Sequence, residues 1–442
     1  MIETPPTITE ELRQQETKIE AEGVPQGLTD AIANINNHYY YWTDVKYRAQ
    51  PIGINPKLLW TFVKNARRKT DMTVWADNHI HFSLTNTMQR LCHEFDMDFG
   101  GSWGASKIFP DDKHTQELYL ISSVMEEAIA SSQMEGASTT REVAKNMLRN
   151  KITPKDKSQR MILNSYQTIN FIRDHVNEPL TPELIFQLHG MMTDATLEVP
   201  DAAGRLRRED EDIVVGNAIT GETVHRPPKA DCLQQFILDL CKFFNSKDNA
   251  VFVHPIIRAI IVHFLVAYYH PFADGNGRTA RALFYWYMMK SDYWLVQFLS
   301  ISRVIIKTKK AYEKAYLYTE ADGNDMGYFI QYNLEVLKKS FDELRTYLKR
   351  KNSEKKQAEK LLHLGNLSPR ETQIINLFVK NPDLTIQAKE LSARLIVSIS
   401  TAKSDLKKLT EKGFLKAIPL NGKTTAYLKS DIFDTMIQPA KY

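Results

Sequence analysis

From Ile256 to Tyr269 the chain reads IIRAIIVHFLVAYY, apolar on nearly every side of a helix. A helix of that kind has no face for water and belongs at the centre of a domain. It contains Arg258 and His263 and is too short to span a bilayer. Pro255, just after His254, suits the first turn of this helix. Pro271 marks its end. Whatever fold forms is therefore built around this segment and the loop into which it leads.

Period-3.6 patterns dominate the rest of the chain and alternating strands are few, which predicts a mainly α protein. The 442 residues allow about two to three domains. Residues 1–105 read as a helical N-terminal region with aromatic clusters such as NNHYYYWTDVKY. A helical core occupies 106–347, a charged helical connector 348–366, and a small third domain 367–442. One hairpin is expected within 211–228, where β-branched pairs flank the turn signals Gly216-Asn217 and Thr220-Gly221 and Pro227-Pro228 closes the segment. With 57 basic and 53 acidic residues the net charge is +4, which marks neither a nucleic-acid protein nor a membrane-surface protein as a whole. Cys92, Cys232 and Cys241 form no CxxC and no disulfide framework. With a polar N-terminus and no signal peptide visible, these features predict a cytoplasmic protein with no membrane partner.

The central helix leads into HPFADGNGRTAR, residues 270–281. A Gly-rich turn at the start of a second apolar helix, expected near Arg278, suits an anion, because free N–H groups and the positive dipole end face the loop. Gly275 and Gly277 allow close backbone approach. Arg278 and Arg281 are three apart and share a helical face. Two guanidiniums beside an anion loop suit a polyphosphate. Asp274 offers the hard oxygen that Mg²⁺ on nucleotide phosphates needs. His270 can serve as a general base near neutral pH. Taken singly, each has a bland reading as a helix-end histidine, a loop aspartate or a common turn. The sequence carries its own control: ADGN recurs at 321–324, but with Asp325 after it and Tyr318 four residues before its Asp, and it reads as a plain turn. No GxxxxGK[ST] and no HExxH occurs.

HPFADGNGRTAR matches every fixed position of the Fic signature, HxFx[DE]GNGRxxR, and the resemblance extends over roughly 106–345. It implies a mostly helical enzyme that transfers AMP from ATP to a Ser, Thr or Tyr hydroxyl of a target protein. On that resemblance His270 is the base, Asp274 holds Mg²⁺, and Gly275, Asn276 and Gly277 form the anion hole with Asn276 near the α-phosphate. Arg278 takes the β-phosphate, Arg281 the γ-phosphate, and Phe272 anchors the loop in the core. AGRLRRED and the 211–228 hairpin resemble the flap that clamps the target. SSQMEGAST, residues 131–139, fits [ST]xxxE[GN], which in this family marks an inhibitory helix, here near 118–136. Ser131 and Glu135 are four apart and share a helix face. The resemblance implies that Glu135 pairs with Arg281 and withholds it from nucleotide.

The C-terminal region opens with Ser368, Pro369 and Glu371 in a capping-box pattern. A helix, a turn and a second helix come next, with Leu391, Leu395, Ile399, Leu406 and Leu409 as the expected core. An Asn421-Gly422 hairpin completes a pattern that resembles a winged helix-turn-helix. Ser398–Thr410 would be its recognition helix, with Ser400, Thr401, Lys403, Ser404 and Lys407 outward, and DNA or protein would be its partner. Three alternatives stay open: a DNA-binding regulator whose Fic core only senses nucleotide, a Fic enzyme with another nucleotide donor, and one that removes AMP. Self-association as a homo-oligomer is also open.

Overall fold

The structure, a computed structural model, describes residues 2–48, 51, 53–75, 79–99, 113–211, 213–216, 223–246, 252–362, 367–381, 384–395, 397–421 and 424–437. The chain is mainly helical and divides into two compact units, Met1–Leu344 and Arg345–Tyr442.

The first unit is organised around helix Pro255–Tyr269, whose residues from Ile256 to Val266 are all buried. His254 caps it and Pro255 opens it. Helix Asn276–Lys290 packs against it and is itself buried from Arg278 to Met288. Helices Lys113–Met134, Lys157–Asp174 and Pro182–Thr193 surround this pair. The second motif helix starts at Asn276, two residues earlier than its apolar pattern indicated, because Gly275 serves as a left-handed N-cap.

The N-terminal region is not wholly helical. Strands Asp71–Trp75 and Ile80–Ser83 pair antiparallel, with Met72 opposite Phe82. They are five and four residues long, with Asp71 and His81 among them, too short and too polar to register as an alternating pattern. The aromatic cluster packs on the second ADGN turn. Tyr39 donates to Asp325 Oδ1 at 2.6 Å, and Tyr41 stacks on Tyr318 with ring centroids 3.8 Å apart. Lys64 bridges Asp322 and Asp325 at 2.8 and 3.0 Å. That turn's aspartates are therefore committed to ion pairs.

Residues Val215–Gly216 and Thr223–His225 pair antiparallel in the expected hairpin region, while its turn residues 217–222 lie outside the described residues. Helix Gly327–Leu362 continues through the charged segment as far as Leu362. No helix among the described residues is long and apolar enough to cross a membrane.

The second unit holds helix Pro369–Lys380, strand Ile386–Gln387, helices Ala388–Leu395 and Ile399–Glu411, and strands Leu415–Asn421 and Thr424–Lys429, with the short helix Phe433–Ile437 after them. The Thr424–Lys429 strand lies between the other two. Both bonds of the Ser368–Glu371 capping box form. Leu391, Leu406 and Leu409 are fully buried and Leu395 packs against them, but Ile399 is 53% exposed. It is the first residue after the cap Ser398, at the N-terminal end of the helix whose buried residues begin at Ala402. Gly422 lies outside the described residues.

Candidate active site

Helix Pro255–Tyr269 stops because His270 turns left-handed, φ 44°, with its N–H on Val266 O at 3.1 Å. A non-glycine residue in that region is uncommon and is tolerated where surrounding contacts dictate it. The His270 ring adds one such contact. Nδ1 lies 2.5 Å from the Ala267 carbonyl and must carry the proton it donates. That leaves Nε2 with a lone pair. Burial pushes the imidazole pKa below its usual 6.5, and the Ala267 carbonyl only partly offsets this. The result is a neutral base at neutral pH.

The loop then folds on itself. Phe272 is fully buried. Asn276 accepts from Phe272 N at 3.0 Å and donates to Phe272 O at 2.8 Å. The Asn276 side chain is thus a clasp on the loop's own main chain. The Asp274 side chain is exposed, with Oδ1 accepting from Gly275 N at 2.5 Å. Gly275 has φ 81°, and a Cβ there would meet Thr193 Cγ2 at 2.7 Å. A Cβ on Gly277 would run into the Glu135 carboxylate. Gly275 is thus held to glycine by its φ and by Thr193, while a side chain at Gly277 would have to displace the Glu135 carboxylate.

Arg278 is buried and donates through Nη1 to Met192 O at 2.9 Å, while its Nε has no partner. Burial lowers its pKa, against the opposing pull of Asp274 and Glu135. Arg281 is also buried, with Nε on Ser131 Oγ at 2.9 Å and Nη2 shared between Ser131 O at 3.0 Å and Glu135 Oε1 at 2.8 Å. Ser131 lies in the last turn of helix Lys113–Met134, and Glu135 comes directly after that helix with its N–H on Ser132 O. Ser131 and Glu135, 150 and 146 residues away in sequence, thus meet one guanidinium. Burial alone would raise the Glu135 carboxyl; Arg281, Arg278 and His270 more than reverse it, so the group ionises below the usual range. A carboxylate thereby lies against the N-terminal turn of helix Asn276–Lys290.

Three residues outside the 270–281 stretch complete the site. His189 is fully buried and stacks on Phe272, ring centroids 3.8 Å apart and planes within 5°. Its Nδ1 accepts from Gly204 N at 3.0 Å, so Nε2–H donates to Asp274 O at 2.8 Å. Burial pushes its pKa down to about 4, so it stays neutral. Arg207 donates from Nε to His270 O at 2.8 Å, from Nη2 to Tyr269 O at 3.4 Å and to Pro228 O, and from its backbone N to Pro271 O at 2.9 Å. His225, on the hairpin, donates from Nε2 to Tyr268 O at 2.7 Å and faces Glu320 through Nδ1 at 2.9 Å. Burial lowers its pKa, but Glu320 and the Tyr268 carbonyl raise it above the usual value overall.

The site therefore combines a helix N-terminus, two buried guanidiniums, an exposed carboxylate and a neutral imidazole whose Nε2 carries a lone pair. That combination suits a polyphosphate meeting a hydroxyl. Among the described residues no group of three or more His, Cys, Asp or Glu could hold a metal ion. A single carboxylate such as Asp274 fits Mg²⁺ that takes its other oxygens from phosphates and water.

Residues 179–288 match the model of the Fic/DOC family. The protein adenylyltransferase Fic of Nematostella vectensis is 29% identical over 118 residues, 27% of this chain and 26% of that protein. The protein adenylyltransferase fic-1 of Caenorhabditis elegans is 27% identical over 177 residues, 40% of this chain and 30% of that protein. The similarity thus spans less than a third of these relatives' lengths. The crystal structure of a Fic family protein from Desulfovibrio desulfuricans G20 aligns with a TM-score of 0.49 and 17% identity, covering 79% of this chain and 98% of that one.

Proposed function

We propose that this chain, which carries a Fic/DOC family domain at residues 179–288, transfers AMP from ATP to a hydroxyl side chain of a target protein, and that Glu135 restrains it. The observation that carries the reading is the Glu135–Arg281 pair, 2.8 Å long, set against Gly277 at the start of the motif helix. A polyphosphate drawn to that helix end meets a carboxylate already there and an arginine already engaged. The relatives' designation as protein adenylyltransferases supports the same reading.

In the transfer, His270 Nε2 accepts the hydroxyl proton as the hydroxyl oxygen bonds to the α-phosphorus. The bond from that phosphorus to the bridging oxygen breaks and pyrophosphate leaves. Arg278 and Arg281 hold the β- and γ-phosphates, and the chain contributes alignment and charge rather than covalent chemistry. Asp274 would hold Mg²⁺, which supplies neutralising charge on the phosphates. The hairpin, tied to the loop through His225 and to Pro228 through Arg207, would present the target as an added strand.

Labelled ATP with Mg²⁺ in cell lysate tests this. Glu135→Gly should increase label transfer, His270→Ala should abolish it, and mass spectrometry should find AMP on a hydroxyl. Transfer that survives His270→Ala would sink the assignment.

A second reading concerns Arg345–Tyr442. Its order of helices and strands supports the resemblance to a winged helix, and Ser400, Lys403, Ser404 and Lys407 are exposed on helix Ile399–Glu411. DNA binding through that helix would weaken steeply with salt and fall on Lys403→Ala with Lys407→Ala. Binding insensitive to both would leave a protein as its partner.

A further inference from the structure

Helix Pro182–Thr193 ends beside the motif loop, and its last turns grip the loop at three points. Met192 O holds Arg278, the Thr193 methyl fills the space a Cβ on Gly275 would need, and His189 Nε2–H holds Asp274 O. His189 also reaches away from the loop, toward the segment that leads into the hairpin. Its Nδ1 accepts from Gly204, at the head of that AGRLRRED segment. The two ring nitrogens thus join the metal-binding end of the loop to the root of the target-binding segment, and stacking on Phe272 fixes the ring plane.

We propose that His189 is a positioning residue for the transfer reaction: its Nε2–H sets the Asp274 main chain, and with it the carboxylate that receives Mg²⁺, while Nδ1 keeps the hairpin root in register with it. This rests on the reading of Asp274 as the metal-binding residue. Asp274 is exposed, and among the described residues its side chain is otherwise steered by its bond to Gly275 N. Its direction is therefore set by the main chain on either side. One side is bound by the Asn276 clasp on Phe272 and the other by His189.

Two substitutions separate the two nitrogens. An Asn oxygen can reach where Nδ1 was and still accept from Gly204, but nothing then donates to Asp274. A Gln amide can reach where Nε2 was and still donate to Asp274, but Gly204 loses its acceptor. Full-length His189→Asn, His189→Gln, Asp274→Ala and wild type are compared by titrating Mg²⁺ at fixed ATP, with ATP affinity read calorimetrically. The same titration without divalent metal is the reference. His189→Asn should raise the Mg²⁺ concentration for half-maximal tightening about three- to tenfold, the span of one buried hydrogen bond, and leave metal-free ATP affinity unchanged. His189→Gln should stay within about twofold of wild type on Mg²⁺ and raise KM for the target protein instead. A merely structural residue would lower the melting temperature in both variants and move neither titration apart from the other. Equal Mg²⁺ responses in the two variants overturn the proposal while Asp274→Ala still loses the response. An Asp274→Ala response equal to wild type overturns the metal role of Asp274, and this proposal with it. Should either variant not fold, ¹⁵N-histidine NMR of the wild type decides: the His189 Nε2–H resonance must shift when Mg²⁺ is added to the ATP complex, and a static resonance refutes the link.

Discussion

Replacing Glu135 by Gln removes one charge and little volume, and its consequences can be sized. Two opposite unit charges about 4 Å apart near a protein surface attract by about 4 kcal/mol. The Glu135 side chain is 29% exposed, which reduces that figure, while Arg281 is 5% exposed and keeps two bonds to Ser131. Stability should therefore fall by less than the roughly 3–5 kcal/mol typical of a fully orphaned buried charge. Nucleotide affinity should move the other way. The variant removes a like charge from the helix end and frees a guanidinium for one charge-assisted bond, about 1.5–3 kcal/mol, or about ten- to hundredfold in Kd. Calorimetry with ATP, ADP and AMP at matched Mg²⁺ reads this directly. If Arg281 meets the terminal phosphate, ATP gains most, ADP less and AMP almost nothing. An equal gain for all three nucleotides, or none for ATP, would refute the reasoning. The pair also carries a pH signature. Its carboxyl ionises below the usual 4.5, so its stabilisation is complete above that value and drains away as pH falls through the lowered one.

Neighbouring contacts set other expectations. His270 has a pKa below 6.5, so its neutral form should persist into mildly acidic solution; transfer activity should hold flat through pH 7 and fall only below that ordinary value, as a pH–rate profile will show. His225 is the reverse: its pKa is raised, so its tie to Glu320 stabilises fully below about pH 6.5 and is lost as pH climbs through the raised value. Melting curves of wild type and His225→Gln should accordingly converge as pH rises, and parallel curves would count against it. Asn276→Ala leaves Phe272 N and O buried without partners, and should cost about 2–3 kcal/mol in urea unfolding. Gly277→Ala must displace the Glu135 carboxylate, so its effect on stability should largely vanish in a Glu135→Gly background, as a double-mutant cycle would detect.

The legible part of this site is the part made of side-chain identity. His270, Asp274, the glycines and both arginines occupy one twelve-residue stretch with an unusual composition, and Ser131 and Glu135 differ by one helical turn. Asn276 has a second role that its type alone does not reveal: its amide closes the loop on Phe272. The contacts that His189 and Arg207 make are not legible in sequence, for a physical reason. These two residues act on main-chain carbonyls 85 and 63 residues away, and a carbonyl looks the same in every residue. The Asp71–Ser83 hairpin escaped because four- and five-residue strands with polar members carry too short a period, and Ile399, although spaced to share a face with Ala402 and Leu406, is exposed at the helix's first position, where periodicity does not report exposure.

The carbonyls of Tyr268, Tyr269, His270, Pro271 and Asp274 are each held by His225, Arg207 or His189, and none of those lies within the stretch itself. The loop is thus cast in a mould supplied by other parts of the chain. Grafted alone onto another pair of helices, the same twelve residues would keep their chemistry and lose their shape. A working transplant would have to bring along the histidine of the 182–193 helix and the arginine of the 204–211 segment, and chains with the full signature but neither mould residue would be the ones to suspect of having lost the reaction.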